Sequence, residues 1–92
     1  MKEITDKTNI TGTILVEFYA SWCGKCQKGL ENLAAFEAET GTSTGKCDFQ
    51  RNPKLLNQFI TNVLFVNGKP QKKVVGLCDL KGEFKIDCNN RP

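Results

Sequence analysis

The run Ile14 to Tyr19 is apolar on both sides of a period-two pattern, interrupted only by Glu17. A strand of that kind is expected in the interior of a sheet covered on both faces. From Gly24 to Glu39 the spacing changes to three and four. Cys26, Gly29, Leu30, Leu33 and Phe36 then share one stripe, with Lys28, Glu31, Ala35 and Glu39 opposite. This pattern predicts an amphipathic helix lying on the sheet, ended by Gly41. Residues 42–50 are polar and weakly patterned, yet their place between two helical segments predicts the crossover strand of a βαβ unit. Asn52 and Pro53 read as the N-cap and first position of a short helix whose Leu55, Leu56, Phe59 and Ile60 face the core. Asn62 to Val66 and Gln71 to Leu77 read as a hairpin about Asn67-Gly68-Lys69. Ahead of all this, residues 2–5 predict a short strand, and residues 6–13, with Asn9 and Gly12, a single turn or loop. The tail is ambiguous: Leu80, Phe84 and Cys88 recur at helical spacing behind Asp79, while Phe84, Ile86 and Cys88 alternate as in a strand. Helix is the expectation here, with residues 89–92 frayed.

The joint between the first long strand and the first helix carries the chemistry: Trp22-Cys23-Gly24-Lys25-Cys26. A helix N-terminus presents unpaired N–H groups and the positive end of the macrodipole, which biases a thiol toward thiolate, the species that attacks disulfides. Lys25 adds a positive charge. Residues three apart on a helix have Cβ atoms roughly 5–6 Å apart, against a mean of ~3.8 Å in a disulfide, so a small adjustment of the first turn closes the ring. Cys23, at the helix mouth, is the expected attacking group and Cys26, one turn inside, the resolving group. The competing reading is half of a zinc site. The chain has no histidine, however, and Cys47, Cys78 and Cys88 form no second C-x-x-C. Trp22 either shields the pair or simply fills the core. Glu17 needs a reason to sit in an apolar strand. Burial would raise its pKa toward that of a general base, unless its longer side chain snorkels to the strand edge.

The stretch Ile14 to Phe36 resembles the active-site region of thioredoxins, with Trp-Cys-Gly-x-Cys as its specific part. Further matches are Lys46, Asn52-Pro53, and Leu64-Phe65-Val66-Asn67-Gly68-Lys69 leading to Val75-Gly76; the likeness covers most of residues 4–77. The resemblance implies an α/β, three-layer thioredoxin-like fold, a central mixed sheet of four to five strands flanked by helices. It also implies that Glu17, where thioredoxins carry Asp, deprotonates Cys26 when a mixed disulfide is resolved, and that Lys46 accompanies this acid and lowers its pKa. Thioredoxins enter the fourth strand through a cis-proline that helps hold substrate. Here Ile60, followed by Thr61, stands at that place, so these two residues are the expected substrate-binding positions on an altered groove. By the same resemblance the partners are disulfide-containing proteins and a dithiol or flavin-dependent reductase as electron donor, with no cofactor held by the chain itself.

Composition narrows the class further. Ninety-two residues with 39 % hydrophobic and 25 % charged content suit one small domain over residues 1–92. A net charge of +3 without a basic cluster gives no reason to expect nucleic acid, and the Lys72-Lys73 pair suits a solvated strand edge. No apolar run approaches the ~20 residues of a membrane span. The first residues lack the apolar core of a secretion signal, so a cytoplasmic monomer is expected. Five cysteines is an odd number. In a reducing compartment one redox pair plus three small buried residues accounts for it, and a Cys78–Cys88 disulfide is the alternative in an oxidising one. The leading function is a small thiol–disulfide oxidoreductase cycling Cys23 and Cys26. The alternative is a non-catalytic adaptor on the same scaffold, favoured by the missing proline and the trimmed N-terminal helix.

Overall fold

The computed structural model describes residues 1–52 and 61–75. Five strands and one long helix follow in the order β1 (Lys2–Glu3), β2 (Ile14–Tyr19), α1 (Gly24–Thr40), β3 (Ser43–Asp48), β4 (Thr61–Val66) and β5 (Lys69–Val75). They build one sheet in the order β1-β3-β2-β4-β5. The β1–β3 and β3–β2 pairs are parallel, and the β2–β4 and β4–β5 pairs antiparallel. The α/β reading with a mixed sheet therefore holds, at the upper end of the expected strand number. Beyond its expected cap residue Asn52, the short helix expected up to Ile60 lies outside the described residues, as do the tail element over 79–88, Cys78 and Cys88.

Local chemistry explains each boundary. β2 is central because neither of its faces could be left in water: Ile14, Leu15, Val16 and Phe18 are all buried. α1 buries Cys26, Gly29, Leu33 and Phe36 and exposes Lys28, Glu31, Ala35 and Glu39, as the stripe predicts. It stops at Gly41, whose φ of 72° lets its N–H reach back to the Glu37 carbonyl at 2.9 Å. β4 turns into β5 through Asn67 (φ 54°) and Gly68 (φ 79°), two positive values that suit the twist of a tight hairpin. β5 lies at the sheet edge with Pro70, Lys72 and Lys73 exposed, a composition that discourages further strand pairing. Between β1 and β2 the chain makes the single turn expected, at Lys7–Asn9. The Asn9 side chain holds it by accepting hydrogen bonds from the N–H groups of Thr5 and Asp6, both 3.0 Å.

The sheet separates two apolar clusters. Ile14, Val16 and Phe18 point away from α1 and pack with Ile4, Ile10, Cys47, Val63 and Phe65. Leu15 points toward α1 and packs with Leu33 and Phe36, with Leu64 and Val74 at its margin. The helix is also tied to β3 by Glu37, whose Oε1 accepts the Thr44 N–H at 3.0 Å and its hydroxyl at 2.5 Å. Those two bonds, the hydroxyl's first, hold the Glu37 carboxyl below its ordinary pKa. Fully buried Leu33 is the knob joining helix to sheet. Leu33→Ala should therefore lower the unfolding free energy by about 2–5 kcal/mol in urea titrations.

Candidate active site

The chain leaves β2 at Tyr19, turns through Ala20, Ser21 and Trp22, and enters α1 at Gly24. Cys23 is the N-cap, extended at φ −92° and ψ 113°, and its side chain makes no cap hydrogen bond. Its N–H donates to the Ala20 carbonyl at 3.1 Å, and its own carbonyl accepts the Cys26 N–H at 3.2 Å. This tight turn leaves Cys23 9 % exposed and seals Cys26 at 0 %, with Ala20, Tyr19 and Phe49 packed around the pair. Both thiols are free, and the Cys26 thiol is in hydrogen-bonding contact with Cys23. Burial first, then that contact, pushes the Cys26 thiol up to about 11. The Ala20 backbone opposes the rise, and the nearby charges of Cys23 and Glu17 add to it. Lys25 is the second residue of α1.

Beneath the pair, Glu17 projects from β2 toward α1. It is 1 % exposed, so it does not snorkel, and neither carboxylate oxygen has a hydrogen-bond partner. Burial raises its carboxyl from 4.5 to about 7. Lys46 is its register neighbour on β3, but the two form no ion pair. The expectation that Lys46 offsets the burial therefore needs correction: burial alone accounts for the shift. On the other side β4 places Asn62 directly across from Glu17, itself buried. Gly29, one turn beyond Cys26, forms the helix wall. A Cβ placed there would stand 2.5 Å from Glu17 Oε1.

The remaining sequence candidates lie farther out. Trp22 is 62 % exposed, which overturns core filling; its indole N–H donates to Gln50 Oε1 at 2.9 Å, fixing the ring at the rim of the turn. Gly24 is exposed at the first helical position. Thr61 opens β4 opposite Phe18 with its side chain fully buried, while Ile60 lies outside the described residues. Among the described residues, no three His, Cys, Asp or Glu side chains gather as a metal site. No helix among them is long and apolar enough to cross a membrane. Sequence reasoning passed over Gly29, Asn62 and Gln50. A signal existed for the first two: glycine inside a helix and asparagine inside an apolar strand are both unfavourable without a local reason.

Comparison with known proteins bears directly on this arrangement. The thioredoxin family profile matches residues 2–84. The chain belongs to the thioredoxin family. It is 35 % identical to a Mycobacterium tuberculosis thioredoxin over 80 residues, covering 78 % of this chain and 68 % of that protein. It is 37 % identical to a Chlamydia muridarum thioredoxin over 82 residues, covering 83 % and 80 %. Among solved structures, a thioredoxin variant from Halobacterium salinarum superposes with a TM-score of 0.78 at 27 % identity, covering 88 % of this chain and 81 % of that one. Mitochondrial thioredoxin 3 of Saccharomyces cerevisiae, in its oxidised form, shares the fold with a TM-score of 0.78 at 22 % identity, covering 94 % and 95 %. With the thioredoxin family comes a thiol–disulfide oxidoreductase role.

The buried carboxyl makes a stability prediction with a definite sign. Between pH 4.5 and about 7 the unfolded chain has lost the Glu17 proton while the folded chain still holds it, so stability falls as pH rises through that window. The loss amounts to about 3 kcal/mol, from roughly 2.5 pKa units at 1.36 kcal/mol each. Urea titrations should show Glu17→Gln gaining about 3 kcal/mol relative to the natural chain on going from pH 4 to pH 8. A constant difference across that range would mean the carboxyl is not held as described.

Proposed function

We propose that this thioredoxin-family protein reduces disulfides in protein substrates by cycling Cys23 and Cys26 between dithiol and disulfide. The Cys23 thiolate attacks one sulfur of the substrate disulfide, forming a mixed disulfide and releasing the first substrate thiolate, which takes a proton from solvent. Cys26 then gives its proton to the Glu17 carboxylate and attacks Cys23 Sγ. The Cys23–Cys26 bond forms, the bond to substrate breaks, and the second substrate sulfur leaves and is protonated. Two electrons pass from the dithiol to the substrate disulfide. The observation that carries this reading is the graded burial along one short turn, with Cys23 at the rim, Cys26 sealed behind it and the Glu17 carboxyl sealed below.

The raised pKa values give each group its task. A Cys26 thiol at about 11 stays protonated at neutral pH and does not compete with Cys23 for substrate. A carboxyl at about 7 is an effective acceptor for that proton, because it is about half ionised at neutral pH. Exposed Trp22 and the turn around it offer the surface on which a substrate chain rests, while Thr61, fully buried at the start of β4, supports that surface from within rather than touching substrate. The oxidised pair is recharged by a small dithiol or a flavin-dependent reductase. A Mycobacterium leprae protein 35 % identical to this chain over 71 residues, which cover 15 % of its length, is a bifunctional thioredoxin reductase/thioredoxin. A single-domain monomer in the cytoplasm, where thiols are kept reduced, fits this direction of electron flow.

With dithiothreitol as donor, the purified protein should reduce insulin disulfides. Cys23→Ser should fall to the uncatalysed background, and Cys26→Ser should accumulate substrate as a mixed disulfide detectable by mass spectrometry. Full activity in Cys23→Ser would overturn the assignment and leave an adaptor on a thioredoxin scaffold. In the natural chain the resolving step should accelerate as pH rises through about 7, and Glu17→Gln should lack that limb.

A further inference from the structure

Gly29 sits on the buried face of α1, three residues beyond Cys26 and therefore on the same side of the helix. A Cβ built there would stand 2.5 Å from Oε1, 2.6 Å from Oε2 and 2.8 Å from Cδ of Glu17. All three atoms of the carboxyl group lie over this one Cα. Rotating the group about its last bond would exchange the oxygens without moving Cδ, so any side chain at position 29 has to displace the whole carboxyl. A glycine inside a helix is unfavourable relative to alanine. Here that cost admits a long acid into a seam that would otherwise be closed. Glutamate reaches about one carbon–carbon bond, ~1.5 Å, farther than aspartate from the same backbone position. That reach is what brings its carboxyl onto the helix backbone.

We propose that Gly29 is a positioning residue for the exchange reaction: its bare backbone admits the Glu17 carboxyl into the seam beneath Cys26, and the long acid and the glycine act as a matched pair. The proposal rests on the exchange reading above and specifies how this chain holds its proton acceptor. The glycine sets where the acceptor stands when Cys26 gives up its proton and closes the bond to Cys23. Among the described residues, the ionisable groups beside Glu17 are Cys26 of α1, behind the N-cap Cys23, and Lys46 from β3, with Glu3 of β1 one strand beyond Lys46. β4 faces it with Asn62, which does not titrate. Moving the carboxyl off Gly29 changes its distance to Cys26 and its burial together.

An aromatic disulfide that releases one coloured thiolate at each step separates attack by Cys23 from resolution by Cys26 in a single turnover. Four proteins are compared from pH 5 to pH 9: the natural chain, Gly29→Ala, Glu17→Asp and the double variant. Gly29→Ala should slow the second release relative to the first by about tenfold or more at pH 7, and should move its pH midpoint. In the Glu17→Asp background the same substitution should cost less than about twofold, because the shorter acid does not reach the added methyl. A Gly29→Ala that loses stability but keeps the natural second release and its pH midpoint overturns the proposal, as does an equal cost in both backgrounds. If Gly29→Ala alone does not fold, the double variant decides. Resolution at least as fast as in Glu17→Asp supports the matched pair, and a further tenfold loss overturns it. The exchange reading itself fails separately, if release from the natural chain does not depend on Cys23.

Discussion

The constraint on which the rest of this structure depends is the enclosure of one carboxyl group between a central strand and a helix. Glu17 is buried without a hydrogen bond to either oxygen, in the middle of the apolar run that forms β2, the central strand of the described sheet. Keeping an unpaired carboxyl in such a place is costly, since about 3 kcal/mol at neutral pH is a large share of the roughly 5–15 kcal/mol by which a small domain is stable. The surrounding fold offsets it. Ile14, Val16 and Phe18 anchor one face of the strand, and Leu15, with Leu33 and Phe36 of the helix, anchors the other. β2 is also paired on both edges, by β3 and β4. The carboxyl is thus carried by a strand paired on both edges and packed on both faces, where an unfavourable group is poorly able to open the structure around it.

That placement links stability to the proposed chemistry. The same desolvation that weakens the fold lifts the carboxyl to about 7 and the Cys26 thiol to about 11. A shallower site would have been more stable and a poorer proton acceptor. The turn from Ala20 to Cys26 completes the arrangement by giving the two sulfurs different surroundings although they are three residues apart. One lies at the rim and the other is closed off by Tyr19, Ala20 and Phe49. Trp22, held to Gln50, marks the outer edge of that turn.

Much of this was legible in the residues, for reasons that can be named. The bounds of β2 follow from an apolar run with polar ends, and those of α1 from a periodic stripe with Gly41 behind it. Gly68 and its neighbour announce the hairpin because few other residues take positive φ. The Cys23–Cys26 pair is visible because its spacing is itself the geometry. Three things were not legible. The side of the protein on which Trp22 lies depends on Gln50, twenty-eight residues away, and no local pattern encodes such a contact. Lys46 sits beside Glu17 in register, yet adjacency on a sheet does not guarantee that two long side chains meet. Gly29 looks like a weak point in a helix until Glu17 is seen pressed against it.

The most direct test of this account follows the carboxyl itself. In protein carrying 13C-labelled glutamate, with Glu17 assigned by its loss in Glu17→Gln, the carbonyl carbon of the reduced protein is titrated by NMR. A sealed group unpaired against the helix should titrate at about 7. A midpoint near 4.5, the value of a glutamate in water, would mean that the carboxyl is solvated and that neither the seam nor the proton transfer is as described.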